Sequence, residues 1–115
     1  MAEDEERIRR IILLQLELED YEAGAAGSGE ECLQMVESFR PGLLILDYLL
    51  PDSSGEEIVS ALRRDPATRF LPVILLSGLD PEQIEPELLS DQRVFFLPKP
   101  FENSALLALV GQALA

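Results

Sequence analysis

Three side chains that could take part in chemistry each follow an apolar run of the sequence. Asp47 follows GLLIL, Ser77 follows PVILL, and Lys99 follows RVFFLP. Taken singly, each has an ordinary explanation, because Asp and Ser suit turns or caps and a lysine between prolines suits a solvated turn. Together, a carboxylate, a hydroxyl and an ammonium group could receive and stabilise a phosphoryl group.

Two further acids, Glu3 and Asp4, lie in the run AEDEE near the start of the chain. On its own, such a run indicates a charged helix start that the helix dipole favours. If these acids approached Asp47, the carboxylates would repel one another unless a cation neutralised them. Mg²⁺ suits that place, because it binds a few carboxylates and leaves room for phosphate oxygens. Asp47, with a reference pKa of about 3.9, would be the ionised nucleophile.

Amphipathic spacing and capping signals predict five helices that alternate with the apolar runs. They cover 5–19, the stretch from the capping box Ser28/Glu31 to Pro41, a stretch that starts at the capping box Ser54/Glu57, a fourth that starts at Asp80 and Pro81, and 103–114. Pro86 should shorten or bend the fourth helix. The segment YEAGAA (21–26) is an additional, weak strand candidate.

The three apolar runs, 42–46, 72–76 and 93–97, show no clean alternation of apolar and polar residues. Such strands, separated by amphipathic helices, indicate an α/β domain with a parallel sheet covered on both faces. Ligands of open parallel sheets bind at the carboxyl ends of the strands, which is where all three reactive side chains fall.

Composition narrows the classes of function. The 115 residues suit one domain, 47% of them are apolar, and no apolar run is long enough to span a membrane. A net charge of −13 disfavours direct nucleic-acid binding, and the lack of histidine disfavours zinc sites and serine–histidine catalysis. The single cysteine, Cys32, and an acidic start without an export signal predict a cytoplasmic protein.

The chain resembles the receiver domain of two-component response regulators, of the chemotaxis-regulator type, over nearly its whole length. The resemblance is carried by EDEERIRR, SGEE, LLILDYLLPDSSGEE, PVILLSG and LPKPF. It implies a flavodoxin-like three-layer sandwich and one receiver domain over 1–115 without an output domain. It also implies a phosphoryl group taken from a phosphohistidine of a histidine kinase or histidine phosphotransfer protein, and a switched surface that binds a downstream protein. Such a domain signals and is not a turnover enzyme.

The resemblance assigns roles to individual positions. Those that match the family's motifs are Asp47 as phosphoacceptor, Ser77 and Lys99 as contacts of the phosphoryl group, Phe96 as switch aromatic, Gly55 and Gly78 as small residues beside the site, and Pro100 after an expected cis bond. The implied Mg²⁺ ligands are Glu3, Asp4, Asp47 and the backbone carbonyl of Leu49. From the residues alone, Phe96 is as easily a core aromatic as a switch.

One departure concerns the first strand, since only Met1 and Ala2 precede Glu3. A truncated chain explains this best. The alternatives are a strand donated by a second chain, as in a homodimer, and a rearranged sheet with a damaged metal site. Because of this departure, an alternative function remains open: a pseudo-receiver that binds proteins without phosphorylation. A phosphotransferase or phosphatase has less support, because neither a dedicated substrate pocket nor a further general acid is evident. A flavodoxin-type cofactor binder also has less support, because no glycine-rich phosphate-binding loop follows a strand.

Overall fold

A computed structural model describes residues 1–2 and 5–115. Within that part of the chain, three strands alternate with helices. The elements are α1 (Glu6–Leu18), α2 (Gly29–Phe39), β1 (Leu44–Asp47), α3 (Gly55–Arg64), β2 (Val73–Ser77), a 3₁₀ turn (Pro81–Gln83), α4 (Pro86–Ser90), β3 (Val94–Pro98) and α5 (Asn103–Leu114). No helix among these residues is long and apolar enough to cross a membrane.

The sheet is parallel, in the order β1-β2-β3. Every residue of the central strand β2 is buried, as is every residue of β1. Burial on both faces explains why these strands lack an alternating pattern. The predicted parallel sheet is therefore confirmed.

Apolar side chains form one core on each face of the sheet. Alternate residues of β1 and β2, among them Leu46 and Leu75, pack with α2, α3 and α4. The intervening residues, among them Ile45 and Ile74, pack with Ile12 and Leu16 of α1 and with Leu106 and Val110 of α5. Since helices cover both faces, the predicted three-layer sandwich is also confirmed.

Among the described residues, Ala2 occupies the place of a first strand beside β1, with Met1 next to it. Ala2 pairs in parallel with both Ala26 and Leu46, and its N–H donates to the Ile45 carbonyl at 2.7 Å. The Met1 carbonyl accepts from the Ala26 N–H at 2.9 Å. Over the described residues, this agrees with the prediction of a first strand that is missing or truncated. The segment 21–26, predicted as a weak strand, forms none, although the Gly24 carbonyl accepts from the Met1 amino group at 2.8 Å and Ala26 pairs with Ala2.

Helix starts follow the capping signals. Ser28 is the N-cap of α2, and its side chain accepts from the Glu31 N–H at 3.2 Å. Ser54 caps α3 in the same way through Glu57. Both predicted capping boxes therefore mark true helix starts.

The fourth helix differs from its prediction. Asp80 and Pro81 introduce only the short 3₁₀ turn, and α4 begins at Pro86. Glu85 is extended, as residues before proline tend to be, so the turn cannot continue into a helix. Pro86 then occupies the first helical turn, where its missing N–H costs nothing. The predicted shortening was right and the predicted start was wrong.

Candidate phosphoacceptor site

The parallel register brings the three predicted side chains to one edge of the sheet. Asp47 ends β1 and Ser77 ends β2, while Lys99 follows β3 directly. The Lys99 Nζ lies 3.2 Å from Asp47 Oδ2. Asp47 is 7% exposed and Ser77 is 1% exposed. The ammonium therefore offsets part of the cost of taking the carboxylate out of water.

The backbone fixes Lys99 in this position. Its N–H donates to the Ser77 carbonyl at 2.7 Å, which extends the pairing of β2 and β3 by one residue. The peptide bond from Lys99 to Pro100 is cis. The backbone of Lys99 is thus bonded to β2, while its side-chain ammonium group reaches Asp47 at the end of β1.

Ser77 is held by a local hydrogen bond that uses only its oxygen. The Leu79 N–H donates to Ser77 Oγ at 2.9 Å. A hydroxyl that accepts in this way can still donate its own hydrogen. Next to it, a side chain at Gly78 would meet no other atom within 4 Å, so the approach to this edge of the sheet is open.

The loop after Asp47 is narrow and closed by two backbone hydrogen bonds. The Gly55 N–H donates to the Tyr48 carbonyl at 2.6 Å, and the Leu50 N–H donates to the Ser53 carbonyl at 3.0 Å. A Cβ atom on Gly55 would lie 2.9 Å from Leu75 Cδ1, so a larger residue would push the loop away from the sheet. We shall call residues 48–54 the phosphoacceptor loop.

Two of the four predicted Mg²⁺ ligands, the Asp47 carboxylate and the Leu49 carbonyl, lie among the described residues. Glu3 and Asp4 lie outside the described residues, and within the described part of the chain no three acids cluster in a way that could hold a metal. The Asp47 carboxylate stands at the head of the loop, and neither hydrogen bond that closes the loop uses the Leu49 carbonyl. Carboxylate and carbonyl oxygens are the ligands that Mg²⁺ prefers.

Phe96 lies one residue from the buried Leu97, opposite Leu75 in the register. It is partly buried and packs against the core on the α2–α3 face. This placement is compatible with a core aromatic and with a switch residue alike, so its role as a switch stays a prediction.

Two contacts beside the site were not foreseen from the sequence. The Tyr48 hydroxyl donates to a carboxylate oxygen of Glu56, which also accepts from the Glu85 N–H at 3.4 Å. Burial, and then the neighbouring carboxylate, raise the pKa of Tyr48 to about 12. The second contact joins Asp52 to the start of α2. An aromatic in a loop otherwise rich in polar residues was the one available signal for the first contact.

Comparison with known proteins gives a consistent result. The response regulator receiver domain family matches residues 1–111. The phosphate regulon transcriptional regulatory protein PhoB of Rhizobium meliloti is 34% identical over 96% of this chain and 48% of its own length. The chain spans about half the length of the curated relatives it matches first.

Solved structures are similar over almost the whole chain. The chemotaxis response regulator CheY4 of Vibrio cholerae is 27% identical, with a TM-score of 0.88 over 97% of this chain and 93% of that one. A signal receiver domain of a signal transduction histidine kinase from Syntrophus aciditrophicus is 27% identical, with a TM-score of 0.84 over 98% and 86% of the two chains.

Proposed function

Because this chain belongs to the response regulator receiver domain family, we propose that it accepts a phosphoryl group on Asp47. The observation that carries the proposal is the 3.2 Å approach of Lys99 Nζ to Asp47 Oδ2 at the edge where Ser77 also ends its strand. The proposed donor is the phosphohistidine of a histidine kinase or histidine phosphotransfer protein, since the chain itself contains no histidine.

The proposed transfer begins with an oxygen of the Asp47 carboxylate, which attacks the phosphorus atom. The bond from phosphorus to the imidazole nitrogen breaks, its electron pair stays on that nitrogen, and an acyl phosphate remains on Asp47. Lys99 offsets the charge of the phosphoryl oxygens, and the Ser77 hydroxyl donates a hydrogen bond to one of them. The domain is itself modified and switched, so it does not act as a turnover enzyme.

Asp47, the Leu49 carbonyl, Glu3 and Asp4 would hold Mg²⁺ in this proposal. When bound, the ion would neutralise the negative charge of the carboxylates and of the incoming phosphoryl group. Lys99 and Ser77 are not among these ligands, and their part is to orient the phosphoryl group from the β2–β3 side.

Phosphorylation is proposed to switch a surface for a downstream protein. Ser77 lies at the entrance to the segment that leads through the 3₁₀ turn to α4, and Phe96 lies on the neighbouring strand β3. A shift of the Ser77 hydroxyl toward the phosphoryl group would change the position of the segment that follows β2 and of Phe96 on β3. Partner binding that does not change on phosphorylation would contradict this step.

A second candidate is a pseudo-receiver that binds proteins without phosphorylation. The feature that favours it is the first strand, of which Ala2 alone pairs with β1 among the described residues. Mg²⁺ titration separates the two candidates, because a pseudo-receiver has no need of a cation at Asp47.

The proposal is tested by intact-mass spectrometry after incubation with Mg²⁺ and a small phosphodonor such as acetyl phosphate. We expect one added phosphoryl group on the wild type, and none on Asp47→Asn or in the presence of a chelator. Asp65→Asn, at the far end of α3, serves as the matched control and should behave as the wild type. A folded wild type without an adduct would favour the pseudo-receiver instead.

A further inference from the structure

The start of α2 is held by a side chain from outside the helix. Asp52, in the phosphoacceptor loop, accepts from the Gly29 N–H at 2.7 Å through Oδ1 and from the Glu30 N–H at 3.0 Å through Oδ2. The helix's own cap, Ser28, serves only the next N–H, that of Glu31. Both carboxylate oxygens are therefore used on N–H groups that the helix cannot satisfy by itself.

Gly29 makes this contact sterically feasible. A Cβ atom there would overlap Ser53 Oγ and would lie 2.9 Å from Ile58 Cδ1 and 3.2 Å from Asp52 Oδ1. Any larger residue would therefore require the Ser53 and Ile58 side chains to move. The close approach depends on the loop residue and the helix residue together.

The contact also stays charged among many acids. The two backbone N–H groups hold the pKa of the Asp52 carboxyl below its ordinary value. The positive end of the helix dipole favours a carboxylate at this place. Asp52 thus remains ionised although Glu30, Glu56 and Glu57 line the same groove between α2 and α3.

The far side of the loop is fixed independently. The bond from the Gly55 N–H to the Tyr48 carbonyl closes its base, and the bond from the Leu50 N–H to the Ser53 carbonyl closes its tip. Leu49 lies between these two bonds and pairs with Ser54 across the loop. Asp52 is thus connected to Leu49 through one hydrogen bond, between its neighbour Ser53 and the neighbour of Leu49, Leu50.

We propose that Asp52 is a positioning residue of the site: by fastening the phosphoacceptor loop to the start of α2, it fixes the loop that carries the Leu49 carbonyl, two residues from Asp47. This role rests on the proposed function, because the Leu49 carbonyl matters only if a cation binds there. Asp52 touches neither the cation nor the phosphoryl group. Its effect should appear in cation affinity before it appears in the chemistry.

The test is a Mg²⁺ titration followed by amide chemical shifts, with the half-saturating Mg²⁺ concentration for phosphoryl uptake measured in parallel. Asp52→Asn keeps one acceptor oxygen but turns an amide N–H₂ toward a backbone donor, so one of the two bonds is lost. We expect it to weaken Mg²⁺ binding about tenfold, as the loss of a supporting partner around a metal site commonly does. The rate of uptake at saturating Mg²⁺ should change little.

Two further variants keep the outcome clear. Gly29→Ala keeps the Asp52 side chain but crowds the contact between the loop and α2, because a Cβ atom there would overlap Ser53 Oγ. It also adds a strong helix former, so it should weaken Mg²⁺ binding without unfolding α2. Asp65→Asn alters a similar contact, from the Ala67 N–H at 2.9 Å, at the opposite edge of the sheet. It should leave Mg²⁺ affinity unchanged, even if it lowers the melting temperature as much as Asp52→Asn does.

The outcomes separate this inference from the proposed function. One outcome is that the wild type binds Mg²⁺ and takes up a phosphoryl group, while Asp52→Asn and Gly29→Ala bind Mg²⁺ as tightly as the wild type. Asp52 then only caps the helix, and the positioning role is wrong. If the folded wild type neither binds Mg²⁺ nor takes up a phosphoryl group, the proposed function itself fails, and the positioning role fails with it.

Discussion

At the scale of single residues, the site combines one buried charge pair with neighbours that have ordinary structural tasks. Asp47 and Lys99 face each other, while the next residue, Tyr48, turns into the core and binds Glu56. Through Glu56 the phenol is also connected to the Glu85 N–H just before α4. Tyr48, the residue after Asp47, thus connects the loop to α3 and to the start of α4.

We predict that Tyr48 ionises only under strongly alkaline conditions. Burial and the Glu56 carboxylate both disfavour the phenolate, which raises the pKa of Tyr48 to about 12. Glu56→Gln removes the nearby negative charge and should lower the pKa of Tyr48, while burial, the larger cause, keeps that pKa above 10.0. Phenolate absorbance measures this in a Tyr21→Phe background, which leaves Tyr48 as the one tyrosine.

Circular dichroism recorded over the same alkaline titration distinguishes ionisation in the folded protein from ionisation after unfolding. Equal titration midpoints with and without Glu56→Gln, while the protein stays folded, would show that the hydrogen bond to Glu56 is not formed.

At the scale of elements, the edge of β1 is the least complete part of the sheet. Ala2 forms backbone hydrogen bonds with the Ile45 carbonyl and the Asp47 N–H. The Ile45 N–H and the Leu43 carbonyl point to the same side of β1, where a residue before Met1 would pair with them. A largely apolar cavity of about 230 Å³ lies beside this edge, lined among others by Met1, Cys32 and Val36. The cavity thus lies between the edge of β1 and the segment 21–26, where a longer first strand would run.

We predict that an added apolar segment stabilises the protein by filling this cavity. A Val-Ile-Leu-Val extension before Met1 should pair with β1 and bury apolar side chains, raising the free energy of unfolding by about 2 kcal/mol after the cost of ordering the segment. It also replaces the buried amino group of Met1, whose pKa is lowered by burial, with an amide. Urea unfolding measures the change.

A Gly-Ser extension of equal length is the control, because it can pair through its backbone but cannot fill the cavity. Equal stability of the two extended chains would mean that the cavity does not accept a strand.

At the scale of the whole molecule, the net charge is −13, so basic side chains that bind carboxylates stabilise the fold by reducing charge repulsion. Arg63 binds Asp91 at 2.8 Å and joins α3 to the segment before β3, with about a fifth of each side chain exposed. Phe70 lies under the guanidinium groups of Arg69 and Arg93 nearby. These arginines lie at the opposite edge of the sheet from the candidate site.

We predict that the Arg63–Asp91 pair makes stability fall on acidification. Burial alone would raise the pKa of Asp91, but hydrogen bonds from Arg63 and the Arg93 N–H outweigh it and lower that pKa. Because the folded pKa lies below the unfolded value of 3.8, the contribution is complete above that pH and is lost as the pH falls below it. Asp91→Asn should cost about 1 kcal/mol at neutral pH.

Urea unfolding of the wild type and Asp91→Asn at several pH values isolates this contribution, because the general relief of charge repulsion in acid is nearly common to both. The difference between the two proteins should shrink as the pH falls through 3.8. A difference that is independent of pH would mean that the pair contributes by packing and not by charge.

The sequence alone determined the parallel sheet and the site at its edge. Buried strands need continuous apolar runs, so the residue that ends each run is visible in the sequence, and parallel pairing places Asp47, Ser77 and Lys99 side by side. Capping boxes likewise marked the true starts of α2 and α3. These features are local, and their signals lie within a few residues of the features themselves.

Tertiary structure decided what depends on distant partners. Among the described residues, the segment 21–26 pairs with Met1 and Ala2 near its end but forms no strand, because a strand needs a longer neighbour to pair with. The contacts from Asp52 to α2 and from Tyr48 to Glu56 join groups whose proximity arises only when the layers pack together. Apart from the aromatic residue Tyr48 in a loop, no local pattern in the sequence indicates these contacts.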